Sequence, residues 1–147
     1  MEYIKIRILD DFGQLVSKFE KTVEDIFRSV SPGFTLAERT WKPPMDMNET
    51  PDEVIIVAEI PGVDKEDLDV EISSKAVRIQ GNRFARHCSD NSTYRLAEIQ
   101  YGKFERILFL PAPIDPEVVS AAYQNGLLEI RLAKLPPERT HKVPIQD

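Results

Sequence analysis

The sequence predicts an all-β sandwich with a helical arm before it and an extended tail after it. Short runs in which apolar and polar residues alternate recur through the middle of the chain. Turn signals separate them at regular spacing, and no helical period intervenes. A chain of 147 residues, 41% hydrophobic and 30% charged, has the apolar content for one domain with a core, plus some tail.

The elements follow in order. Ile4, Ile6 and Ile8 alternate with Lys5 and Arg7, a short strand with one apolar face. Asp10-Asp11 offer a helix cap, and the period then changes. Phe12, Leu15, Val16, Phe19, Val23, Ile26, Phe27 and Val30 recur at helical spacing until Ser31-Pro32-Gly33 stops them. The wide apolar face of this helix needs cover, either from its own domain or from other copies and clients; the segment alone leaves both open. Pro43, Pro44 and Pro51 make Trp41 to Thr50 an extended arm of edge-strand character.

From there the pattern is β. Glu53 to Glu59 is a nearly continuous apolar run ended by Pro61-Gly62. Leu68, Val70 and Ile72 alternate with acids, Ser73-Ser74-Lys75 turns the chain, and Val77 and Ile79 alternate with Arg78 and Gln80 up to Gly81. A polar loop carries His87 and Cys88, and Tyr94 to Ile99 reads as a short strand beyond it. Residues 101–111 form another run. Asn125-Gly126 is a strong signal for a two-residue hairpin turn, with Leu128, Ile130 and Leu132 finishing the last strand. Pro136-Pro137 breaks the fold. The expected division is an arm over 1–39, the sandwich over 40–135 and the tail over 136–147.

Composition excludes several classes of function. A net charge of -6 opposes binding to phosphate backbones, so no nucleic-acid partner is expected. The apolar runs are too short for stable membrane insertion, the N-terminus has no secretory apolar segment, and a single cysteine rules out an intrachain disulfide framework. A reducing, cytoplasmic setting fits. Asn48-Glu49-Thr50 and Asn91-Ser92-Thr93 match a glycosylation pattern that has no use without secretion.

Reactive chemistry finds no support. Gly102-Lys103 runs into Phe104, so no phosphate loop exists, and no GxGxxG spacing occurs. One cysteine and two histidines do not supply a zinc site. His87 and Cys88 are adjacent and point apart in an extended chain, which does not suit a nucleophile and its base. Asp64, Glu66, Asp67 and Asp69 read as a solvated cluster. No catalytic residue, metal site or cofactor is expected, and the chain is not expected to be an enzyme.

Two features point instead to assembly. Arg106 shares strand parity with Phe104, Leu108 and Leu110, so one charge lies on an apolar face. Its guanidinium either reaches water at a sheet edge or meets a carboxylate at an interface. In the tail, Val143 and Ile145 project to one side of an extended segment stiffened by Pro144. Burying both is worth about 3–6 kcal/mol before association costs, so one tail binds weakly and many linked tails strongly. The bland alternative is a frayed terminus with two chance aliphatics.

The motifs stand in a recognisable order: Trp41 to Thr50; Glu59-Ile60-Pro61-Gly62-Val63; Gly102-Lys103-Phe104-Glu105-Arg106 with Leu110-Pro111; Ala122-Tyr123-Gln124-Asn125-Gly126-Leu127-Leu128; and Val143-Pro144-Ile145. Together they resemble the small heat-shock proteins of the α-crystallin-related family over about residues 40–145. The resemblance implies an immunoglobulin-like sandwich, a dimer building block within a larger homo-oligomer, and an ATP-independent holdase whose subunits exchange and whose partners are itself and non-native clients. It implies a strand around Tyr94, Leu96 and Glu98 that is swapped between dimer partners, with Arg106 also at the interface. Val143 and Ile145 become an anchor that docks on a neighbour between Leu68, Val70 and Ile72 and a second wall of Val119, Ala121 and Tyr123. Clients would meet the arm through Phe12, Leu15, Phe19, Ile26 and Phe27. The loop departs from the family in carrying His87 and Cys88, and Asn82 replaces an acid between Gly81 and Arg83.

Beyond the family pattern, Ile4-Lys5-Ile6 and Ile6-Arg7-Ile8 repeat the spacing of the tail anchor. This strand either packs within its own arm or competes for the anchor groove or a sheet edge. The rival class of function is a monomeric co-chaperone-like adaptor that binds a folded partner.

Overall fold

Side-chain alternation along short strands gives two sheets with one apolar face each, and the core is the space between those faces. The structure is a computed structural model that describes residues 3–9, 40–86, 89–137 and 143–145. The helix expected over Phe12 to Val30, with Phe12, Leu15, Phe19, Ile26 and Phe27, lies outside the described residues, as do His87, Cys88 and His141. The described strands are β1 (Lys5–Ile8), β2 (Met45–Glu49), β3 (Glu53–Glu59), β4 (Leu68–Ile72), β5 (Ala76–Arg83), β6 (Gly102–Phe109), β7 (Ile114–Gln124) and β8 (Leu127–Lys134). One sheet runs β1-β4-β5-β6 and the other β2-β3-β8-β7. All strand pairings are antiparallel except β1 on β4, which is parallel.

Period-two burial follows from this layering. Val54, Ile56 and Ala58 of β3, Leu68, Val70 and Ile72 of β4, Val77 and Ile79, Phe104, and Leu128, Ile130 and Leu132 are all fully buried. The outward residues of β3, Ile55 and Val57, are half-buried, which explains the nearly continuous apolar run there.

Turn chemistry sets the register. Asn125 and Gly126 both have positive φ, 54° and 81°, the pair that a type I′ hairpin needs. The β7–β8 ladder runs without slip from Gln124↔Leu127 to Val119↔Leu132. Gly126 is also tight in space, since a Cβ there would lie 2.7 Å from the Pro61 Cβ. The Ile60 N–H donates to the Gly126 carbonyl at 2.8 Å, tying the hairpin to the turn after β3. The register then shifts between Ile114 and Val119, a stretch containing Pro116, which has no N–H to give a ladder. At Gly81 a Cβ would stand 2.6 Å from the Phe104 ring, so a buried aromatic takes the place of a side chain.

The strand expected over Tyr94 to Ile99 is not formed within the chain: residues 92–101 lie outside both sheets. A strand exists only by pairing, and within the described chain this segment pairs with no strand of either sheet.

Candidate assembly surfaces

The β4 edge is where the apolar and polar faces of a sheet are both organised around the N-terminal strand. Lys5↔Asp69, Ile6↔Val70, Arg7↔Glu71 and Ile8↔Ile72 pair in parallel, and the Leu9 N–H extends the ladder to the Ile72 carbonyl at 2.7 Å. Ile4 and Ile6 turn inward and pack on the core, while Ile8 stays exposed.

On the outer face the pairing builds a ladder of alternating charge. Arg7 binds Asp69 through two guanidinium nitrogens and stands 3.6 Å from Glu71. Glu71 is only 2% exposed; Arg78 of β5 donates to it at 3.2 Å and also binds Glu105 of β6. Gln80 completes the row by donating to Asp69 at 2.9 Å. Burial pushes the Asp69 carboxyl up, but the hydrogen bonds from Arg7 and Gln80 and the charge of Arg7 outweigh it, so it ionises below the ordinary carboxylate range. Burial likewise disfavours the charged form of Arg78, and the hydrogen bonds and charges of Glu105 and Glu71 overcome that and raise it. This ladder was invisible to sequence reading. Arg78 and Glu71 each look like ordinary solvated positions until the register sets them opposite one another.

The second surface lies at the other end of the sandwich. β2 is the edge of its sheet, paired only with β3 among the described residues, and four of its five residues are exposed. Phe84, Tyr94, Leu96, Ile99 and Tyr101 are exposed in the segment after β5, with Leu96 74% accessible. That is a run of large apolar side chains with little cover inside the chain. Glu98 is exposed among them.

Two arginines hold the foot of this region. Arg106 sits on the inner parity of β6, half-buried, and donates to the Pro43 carbonyl at 2.8 Å. It therefore pins the Pro43-Pro44 lead into β2. Arg83 donates to the Gln100 carbonyl at 2.8 Å and the Pro61 carbonyl at 3.1 Å, and lies 4.0 Å over the Trp41 ring. Trp41 in turn donates to the Gly102 carbonyl at 3.1 Å and packs on Phe104. Arg83 closes the base of the loop, so that both ends of the apolar segment are fixed. Sequence reading noted Arg83 only as part of the Gly81-Asn82-Arg83 variation. The usable signal was an arginine at the end of a strand with the chain's one tryptophan elsewhere to stack on.

The remaining predicted site residues fall as follows. Leu68, Val70 and Ile72 are buried on the inner face of β4, and Val119, Ala121 and Tyr123 are half-buried on β7 at the rim of the same core. Tyr123 places its hydroxyl 2.8 Å from the Ile60 carbonyl and 2.9 Å from that of Val63. Burial raises its pKa, against the hydrogen bond to Val63. Val143 and Ile145 are 81% and 93% exposed. Among the described residues, no group of three or more His, Cys, Asp or Glu is arranged to hold a metal, and no helix is long and apolar enough to cross a membrane.

Comparison with known proteins places this architecture. The sequence profile described as the Hsp20/alpha crystallin family matches residues 46–146. Heat shock protein 16 of Schizosaccharomyces pombe is 33% identical over 130 residues, covering 84% of this chain and 91% of that protein. Small heat shock protein C2 of Rickettsia felis is 29% identical over 115 residues, 78% of this chain and 75% of its own. Among solved structures, heat shock protein 16.0 of Schizosaccharomyces pombe superposes with a TM-score of 0.61 at 32% identity, covering 73% of this chain and 99% of the other. A small heat-shock protein from Xylella fastidiosa, described as having a distinct high order structure, gives 0.61 at 26% identity, over 74% and 100%.

Proposed function

This chain belongs to the Hsp20/alpha crystallin family, and from that premise we propose that it is an ATP-independent holdase of the cytoplasm that works as an exchanging homo-oligomer. Its relatives are small heat-shock proteins, which supports a chaperone role. The observation that carries the finer reading is the pairing of an open β2 edge with an exposed apolar segment over Tyr94 to Tyr101 that has no strand partner within its own sheets. In a dimer, that segment of one copy adds to β2 of the other, supplying the ladder a lone chain lacks. Tyr94 and Leu96 carry apolar area across, Glu98 lies in the same strand, and Arg106 acts by fixing the route into β2.

Dimers then join through the tail. Val143 and Ile145 enter a neighbour beside Leu68, Val70 and Ile72, with Val119, Ala121 and Tyr123 as the other wall. Each contact is small, so assembly depends on many of them and loosens on heating. The arm, through Phe12, Leu15, Phe19, Ile26 and Phe27, offers clients apolar surface rather than a side-chain code. No catalytic step, metal or cofactor enters this function.

Native mass measurement together with suppression of aggregation of a denaturing enzyme, in the absence of ATP, tests the reading. A large assembly that protects the enzyme is expected, and Val143→Ala with Ile145→Ala should reduce it to dimers. An unchanged mass in that double variant removes the tail from the mechanism. A lone particle with no protection favours the adaptor.

A further inference from the structure

β4 has two sides, and both are taken. One is paired with β5 and the other with β1, through Lys5↔Asp69 to Ile8↔Ile72 and the Leu9 bond to the Ile72 carbonyl. A tail docked beside β4 needs that same outer side. Ile4 and Ile6 have the spacing of Val143 and Ile145, and they are already packed on the core at its rim. In the same molecule the tail pair stands in solvent.

We propose that β1 is a resident competitor for the tail-anchor site: seated on β4 of its own chain, it excludes the Val143-Pro144-Ile145 segment of a neighbour, and the cations of Lys5 and Arg7 facing Asp69 and Glu71 give it the advantage. The proposal rests on the reading that the tail docks beside β4.

Three properties distinguish the two occupants. The acids of the β4 edge meet Lys5 and Arg7 in register, with Arg7 bound to Asp69 through two nitrogens, whereas residues 143–145 carry no charge. Every residue from Lys5 to Ile8 has an N–H, while Pro144 lacks one. Being on the same chain, β1 also binds at the effective concentration of a tether, which a single foreign tail does not enjoy. The advantage is partly electrostatic at an exposed position, Arg7 being 47% accessible, so salt weakens it. Salt therefore shifts the site from the resident strand toward tails of neighbours.

The test uses the full chain carrying Val143→Ala and Ile145→Ala, so that its own tails do not compete. A fluorescent peptide with the sequence of residues 138–147 is titrated against it by anisotropy, with and without Arg7→Glu. The peptide should bind about 5–10-fold more tightly to the Arg7→Glu chain, which loses the pair and gains repulsion from Asp69 and Glu71. Raising NaCl from about 0.05 to about 0.5 M should tighten binding to the chain that keeps Arg7 and have little effect on the Arg7→Glu variant. Ile4→Ser with Ile6→Ser removes the apolar insertion instead of the charge and should release the site in the same way, which covers a folding defect in the first variant. Equal affinities for all chains overturn the competition and leave the tail anchor standing. No binding to any of them overturns the tail anchor, and the competition with it.

Discussion

The β4 edge and the β2 edge start from the same problem, a row of backbone donors and acceptors at the side of a sheet, and meet it in opposite ways. At β4 a strand from the N-terminus lies in register, Ile4 and Ile6 go inward, and a ladder of Arg7, Glu71, Arg78 and Glu105 crosses the outer face. At β2 no further strand of the described chain arrives, and an exposed apolar segment stands apart. One edge is closed by charge and apolar insertion within a copy; the other stands open among the described residues, and the proposed dimer would close it. Backbone geometry is common to both, so the side chains decide which partner each accepts.

The difference can be broken at four places. The largest effect on folding should come from Arg78→Ala, which takes from the buried Glu71 the guanidinium that donates to it at 3.2 Å. A loss of about 3 kcal/mol is expected in urea unfolding, since a buried carboxylate stripped of a cationic partner is costly. Leu96→Glu probes the opposite edge. Because Leu96 is exposed in the lone chain, folding should change by less than about 0.5 kcal/mol, while the dimer should dissociate about a hundredfold more readily by analytical ultracentrifugation. Equal dimer affinity would show that this segment does not close the β2 edge.

Arg106→Ala lies between these extremes. Losing the hydrogen bond to the Pro43 carbonyl should cost about 1–2 kcal/mol, with weaker dimerisation because the lead into β2 is freed. The smallest effect is the acid response of β1. The Asp69 carboxyl ionises below its ordinary range in the folded chain. Its contribution is therefore complete above the unfolded carboxylate pKa and fades as pH falls through the depressed folded value. Amide exchange at Arg7 and Leu9, corrected for its intrinsic pH dependence, should quicken in that acid window, and Arg7→Glu should abolish the response. Retention of the response in that variant would separate the clasp from Asp69.

Much of the sandwich was legible because its signals are local. The Asn125-Gly126 turn, the alternation in β4, β5 and β8, and the inward parity of Arg106 with Phe104 all came from a few neighbouring residues. The strand expected at Tyr94 to Ile99 was read from the same kind of pattern, yet the chain does not form it, because a β pattern states a capacity to pair and not the presence of a partner. Arg83 and the Arg78–Glu71 pair were missed for a related reason. Trp41, Pro61 and Gln100 converge on Arg83 from three separate parts of the chain, and no sequence window contains them together. Where the N-terminal strand pairs was likewise open until β1 was found on β4.

What the residue order determined by itself was which side chains face inward and where the chain turns, since strand period and positive-φ turns depend on residues a few positions apart. Tertiary structure alone decided who meets whom at the edges: Arg106 with a carbonyl 63 positions away and Arg7 with Asp69 62 positions away. Edge pairing is a contest among all segments able to extend, and its outcome depends on register, charge and burial that exist only once the sheets are assembled.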